Sequence, residues 1–198
     1  MSFTHFRSTL LSLLVSAPLA AAPATYRIDP EHFSIAFLIE HIGYERLIGQ
    51  FTQASGEFVY DEAAKQLRSG LVEVRAASVT THHDRRDAHV RSGDFLGAEK
   101  HPLIRFVATE YRSNSHSGSE PGGILRGDLT MLGQTHPVEL KVRLNKAAQY
   151  PFGHRKHTLG VSVRATIQRS RWGMTYGLAN GMVGDEVELL FEFEALRQ

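Results

Sequence analysis

The stretch Gly122 to Leu144, GGILRGDLTMLGQTHPVELKVRL, decides the fold class. Leu125, Gly127, Leu129 and Met131 alternate with Arg126, Asp128 and Thr130. Beyond a turn at residues 133–137, Val138, Leu140, Val142 and Leu144 alternate with Glu139, Lys141 and Arg143. A period of two marks β-strands, because successive side chains point to opposite faces. The stretch is therefore a hairpin with one oily face turned to an interior and one charged face turned to water.

The same alternation recurs to either side. Phe33, Ile35, Phe37, Ile39 and His41 form a strand that ends at Gly43. Residues 47–61 are strand-like, but Gly49 and Gly56 interrupt them and the apolar parity changes between Phe51 and Phe58, which predicts a bulge or sharp bend. Residues 71–79 give a short strand after a charged turn at 62–68. Ile104, Phe106 and Ala108 belong to another, and a polar Gly/Ser turn over residues 113–123 precedes the central hairpin. Residues 145–157 read as a loop. Strands resume over Leu159 to Gln168 and over Val187 to Glu194, either side of the glycine-rich, aromatic stretch 169–184. Only residues 80–91, TTHHDRRDAHVR, lack the period and predict a short helix, with Thr80 or Thr81 as N-cap and Asp84 at its positive end.

About eight antiparallel strands, one capping helix and no βαβ pattern imply an all-β meander barrel, since closure pairs both edges of the sheet. A barrel of eight strands either fills its interior or holds one small ligand. The inward positions Gly127, Ala108 and Ala165 are small, and a lining of Phe, Leu, Val and Met suits an apolar guest.

At 198 residues the chain is long enough for one well-cored domain. Arg7, the apolar run LLSLLVSAPL at residues 10–19 and the small residues AAAPA at 20–24 read as a secretory signal, with cleavage after Ala24. The expectation is thus a signal over 1–24, a domain over 25–198 and a periplasmic location. The run is too short to span a bilayer, and without cysteine there is neither a lipoprotein attachment nor a disulfide. The net charge of +1 falls to zero once Arg7 leaves with the signal, and mixed charges of this kind argue against nucleic acid as a partner.

Several stretches carry a resemblance to a known family. YRIDPEHFSIAFLIEHIG at 26–43, IGQF at 48–51, RDAHVRSGDFLGAEKHPLIRF at 86–106, LRGDLTMLGQTHPVEL at 125–140, IQRSRWGMTYGL at 167–178 and GDEVEL at 184–189 cover almost the whole mature chain in order. They resemble the YceI-like family of periplasmic polyisoprenoid-binding proteins. Val90 stands where that family usually has leucine, Trp172 where it has phenylalanine, and Gln134 where a small or β-branched residue is common. The resemblance implies an extended lipocalin-like barrel that holds a polyprenyl quinone or polyprenyl phosphate for transport, storage or stress protection, with no other cofactor. It also suggests a homodimer. A transient contact with a membrane or a membrane redox protein is a separate expectation. A tail burying roughly 500 Å² gains about 12 kcal/mol at ~25 cal/mol/Å², comparable with the ~4–15 kcal/mol that association costs.

The expected lumen residues are Phe33, Phe37, Ile39 and Phe51 from the first strands, and Phe95 and Phe106 around the helix and the strand after it. Leu129, Met131 and Val163 join them from later strands, with Trp172, Met174 and Tyr176 from the glycine-rich stretch. The tryptophan is expected to narrow the lumen. His82, His83, Asp84, Asp87 and His89 suggest an alternative, a metal-dependent enzyme or stress protein, since His83 and Asp87 lie one helical turn apart. The favoured reading keeps Asp87 in a structural ion pair and assigns no metal. No serine has a nucleophile-elbow context, so no catalytic residue is assigned. A third reading, a solid barrel acting through its surface, requires a filled interior.

Overall fold

The structure is a computed structural model that describes residues 22–114 and 121–198. Its elements are β1 (Ala24–His41), β2 (Glu45–Phe51), β3 (Ala54–Asp61), β4 (Gln66–Arg75), a 3-10 turn over Ala76–Ser78, β5 (Val79–Thr80) and helix α1 (Asp84–Arg91). Then come β6 (Leu103–Ser113), β7 (Gly122–Met131), β8 (Gln134–Gln149), β9 (His157–Gln168), a 3-10 turn over Arg169–Trp172 and β10 (Val183–Arg197). The fold is the expected all-β, eight-stranded antiparallel barrel with one short helix. β1 closes it: one edge pairs with β10, Phe37 opposite Leu189, and the other pairs with β3, Tyr26 opposite Phe58. β2 carries the line of β3 along the far half of β1, Phe37 opposite Gly49, and β5 pairs with β2.

The central hairpin turns more tightly than the sequence suggests. Leu132 and Gly133, at φ 50° and 74°, form a two-residue turn with both centres left-handed, which matches the twist of the flanking strands. Pro137 therefore lies inside β8, opposite Asp128, at a level where β9 does not pair; β9 joins β8 only from Lys141. β8 runs on to Gln149 through residues expected in a loop, held by Ala147 opposite Leu159, with a bulge after Leu144. β4 starts at Gln66, within the stretch expected as a turn, and Thr52 and Gln53 supply the expected bend between β2 and β3. β1 begins nine residues before Phe33, and its register shifts between Ile28 and Phe33. The signal segment read over 1–24 falls almost wholly outside the described residues; Ala24 already opens β1.

That shift in β1 is built by Asp29-Pro30-Glu31-His32. Asp29 accepts the Glu31 backbone N–H at 3.0 Å and bonds His32 Nδ1 at 2.8 Å, and His32 Nδ1 lies 3.9 Å from Glu194 Oε2. Burial pushes the Asp29 carboxyl up, but the hydrogen bonds from His32 and Glu31 outweigh it and hold it below the usual carboxylate range. The bond to Asp29, with the charges of Glu194 and Glu31, raises His32.

The helix is anchored rather than free. Asp87 is buried and accepts the Thr81 N–H at 2.6 Å and the Thr81 hydroxyl at 2.5 Å; Arg86 donates to the Thr81 hydroxyl and carbonyl. The N-cap is His83, whose Nδ1 accepts from Arg86, instead of Thr80 or Thr81. Asp87 thus holds the helix down mainly through threonine, where an ion pair was expected.

Apolar packing is concentrated in three clusters. One gathers Leu129, Met131, Val138, Ile167 and Trp172. A second gathers Tyr26, Leu159, Val161 and Ala195 at the opposite end. A third gathers Val79, Phe95, Leu96 and Met174 under α1. Between them, glycines let rings lie on the backbone: a Cβ on Gly127 would stand 2.3 Å from the Phe106 ring and 2.4 Å from the Val107 carbonyl oxygen.

Gly127→Ala is expected to lower unfolding free energy by about 1–3 kcal/mol, measured by urea denaturation, because the carbonyl cannot move aside as a side chain could. The His32–Asp29 pair gives a two-sided pH profile. Its Asp29 contribution is lost as pH falls through the depressed carboxyl pKa. Its His32 contribution is complete below about pH 6.5 and is lost as pH rises through the raised imidazole pKa. Thermal melts across pH should show that His32→Ala removes the alkaline fall.

Candidate ligand cavity

The barrel encloses a cavity of about 470 Å³. Burial along the strands shows why. Inward residues near the ends, such as Leu129, Ile167 and Leu159, are buried, whereas the mid-barrel side chains Phe106, Leu140, Val142, Val163 and Leu189 face inward yet are only half-buried. They meet space instead of partners. Ala108 and Ala165 on the walls keep that space open, whereas Gly127 is covered by Phe106.

The first strands contribute Phe37, Ile39 and Phe51 to the walls; the loop after α1 contributes Phe95 and β6 contributes Phe106. Leu129, Met131, Val163, Met174 and Tyr176 complete the expected residues that the structure brings together. Two stand elsewhere. Phe33, half-buried beside the β1 bulge and opposite Phe193, is not part of the walls. Trp172 is fully buried behind β7: its indole N–H donates to the Leu129 carbonyl at 3.0 Å and its ring meets His136 edge-on at 5.2 Å. It fills the core beside the lumen and does not narrow it. Ile35, Leu125, Phe191 and Phe193 share the apolar parity of their strands, whereas Phe58 lies past the expected bend; the place of all five on the wall follows only from closure.

One end is sealed. Tyr26 stacks on Phe58 at 5.5 Å, donates its hydroxyl to Glu62, and Glu62 also holds His157 at 3.0 Å. Burial keeps the nearby wall tyrosines neutral, raising Tyr60 and pushing Tyr111 to about 12. The other end opens between α1, the β1–β2 hairpin and the loop before β10, where Glu40, His41, Arg86, His89, Tyr176 and Met182 edge the cavity. His89 meets Phe95 and Tyr176 edge-on and bonds Asp94 at 2.9 Å.

Arg169 is the cavity-wall residue that sequence reasoning missed, for a lone arginine opening a glycine-rich stretch carries no periodic signal. It is fully buried on the cavity wall and donates to the carbonyls of Gly184, Met174, Tyr176 and Val183 at 2.7–2.9 Å. Its guanidinium lies 5.7 Å from the Phe95 ring centre. Burial lowers its pKa, and the charge of Asp185, itself bound by Ser170, opposes that shift. The arginine therefore clasps the mouth loop by its main chain.

The His-rich stretch does not assemble a metal site. Asp87 is taken by Thr81, His83 caps the helix, and His89 pairs with Asp94. Among the described residues, the three ligand atoms close enough together to share an ion are those of Asp29, His32 and Glu194, already bonded as the β1 bulge.

Comparison with known proteins agrees with this geometry. A family model for the YceI-like domain matches residues 26–195. A UPF0312 protein of Pseudomonas aeruginosa is 35% identical over 198 residues, covering 97% of this chain and 99% of its own. The crystal structure of the Campylobacter jejuni YCEI protein superposes with a TM-score of 0.70 at 25% identity, over 81% of this chain and 90% of its own. A polyisoprenoid-binding domain from Saccharophagus degradans shares the fold, with a TM-score of 0.63 at 12% identity, over 89% of this chain and all of its own.

Arg169→Lys keeps the charge but cannot reach four carbonyls. Unfolding in urea should be easier by about 2–4 kcal/mol, and amide exchange at Met174 and Tyr176 should accelerate ahead of the barrel strands.

Proposed function

The chain belongs to the YceI-like family, and from that premise we propose that it is a carrier which holds the apolar tail of an isoprenoid lipid in its lumen without changing it chemically. The observation that carries this reading is the cavity of about 470 Å³ with apolar walls, sealed at the Tyr26 end and open beside α1. Such a volume lies within the range of small-molecule sites, ~300–1,000 Å³. A dry cavity of about 150 Å³ accommodates benzene, so by proportion the lumen takes a stretch of about twenty carbon atoms, four isoprene units. Longer tails would leave through the mouth. The Saccharophagus neighbour is a polyisoprenoid-binding domain, which supports the same class of guest. The open interior also favours a lumen function over a purely surface one.

Tail burial supplies the affinity, and the mouth groups Arg86, His89 and Tyr176 position a head group of the quinone or phosphate type. We place the mature protein in the periplasm on the strength of Arg7, the apolar run at 10–19 and the small residues at 20–24. Transport, storage or protection of the lipid under stress is the role that follows. N-terminal sequencing of the periplasmic fraction should find Thr25 first.

Mass spectrometry of organic extracts from the purified protein should find an isoprenoid lipid in near-stoichiometric amount. Ala165→Trp, which places an indole in the lumen, should reduce uptake of a geranylgeranyl quinone or phosphate by at least about tenfold while the barrel's circular dichroism is retained. A barrel that is reproducibly empty and shows no saturable uptake overturns the proposal.

A further inference from the structure

The rim of the mouth has a composition of its own. Seven large apolar side chains are well exposed among the described residues, and five of them, Ile42, Tyr44, Ile48, Tyr176 and Met182, lie on the β1–β2 hairpin or on the loop beside it. The two segments are joined: the Ile42 N–H donates to the Met182 carbonyl at 3.2 Å. Tyr44 is 90% exposed, Ile42 48%, Tyr176 39% and Met182 37%; Tyr176 and Met182 also line the cavity. Apolar side chains thus stand both on the lumen wall and on the outer surface at the same edge of the mouth.

Ile42 adds a second observation. Its φ is +52°, a left-handed conformation that is costly for a β-branched residue and that asparagine or glycine adopts far more readily. An isoleucine at an exposed turn, in a backbone conformation that disfavours it, serves something other than the turn.

We propose that this rim is a docking surface for a lipid bilayer, through which a lipid guest passes directly between the membrane and the lumen. The inference rests on the lipid-binding reading above. A polyprenyl tail exposes so much apolar surface in water that free monomers are scarce, and a carrier that waited for them would load slowly. A rim that enters the head-group region presents the lumen to the tails themselves. Tyr44 suits that depth, with an apolar ring and a polar tip. The contact is small, a hairpin tip and one loop, so it should be brief and reversible, as a shuttle requires. Glu40, Glu45, Arg46, Arg85 and Arg86 around the rim are of both signs, so apolar insertion rather than net charge drives the contact.

The test pairs native protein with an Ile42→Asn, Tyr44→Ser double variant, in which asparagine suits the turn. Native protein should float with vesicles of phosphatidylethanolamine and phosphatidylglycerol, and the variant should not. Transfer of a fluorescent geranylgeranyl phosphate from those vesicles should slow at least about tenfold in the variant, while uptake of the same probe from detergent micelles stays unchanged. Native protein that fails to float, or equal transfer rates, overturns the docking surface. Failure of uptake from both vesicles and micelles counts instead against the lumen reading, and flotation on probe-free vesicles still decides the rim.

Discussion

Everything in this molecule depends on β1 being paired along both edges. A twisted sheet whose first and last strands stay apart exposes two rows of unpaired backbone groups; here β10 takes one edge of β1, while β3 and β2 share the other. β1 must therefore be long, and it must bend. The Asp29–His32 bulge supplies the bend by satisfying its own backbone through Asp29, so the register shift leaves no orphaned Glu31 N–H. The break at Thr52 and Gln53 answers it on the partner side.

Closure also divides the core. Eight strands enclose more room than the inward side chains fill, so dense packing retreats to the sealed end, to the Trp172 cluster and to the space under α1. The middle is left half-buried, which forgoes contacts that a solid core would make. Helix α1 compensates locally: Asp87 fastens it to Thr81, and Phe95 and Leu96 pack beneath it. Open volume and incomplete packing are one and the same feature of the barrel.

The alternation of oily and charged residues made β7, β9 and β10 legible, because each has one face inside and one in water. The same rule failed where that asymmetry is weak. Residues 145–149, NKAAQ, look like a loop, yet the ladder from β9 carries them on as strand. The first half of β1 contains Pro30 and two acids, and its strand character comes from Tyr26 and Ile28 being drawn into the sealed end. Ten of the twelve expected lumen residues meet around the cavity. Phe33 and Trp172 do not, since parity gives the face but neither the bulge nor the 3-10 turn that redirects a side chain. Arg169 was invisible because its partners are carbonyls, which every residue possesses.

That choice of partners matters beyond this chain. A clasp that grips only main-chain oxygen is indifferent to which side chains the loop displays. Residues 176 and 182, whose side chains are exposed, can therefore diverge while the loop stays moored, so the edge of the mouth can be recut without rebuilding what holds it.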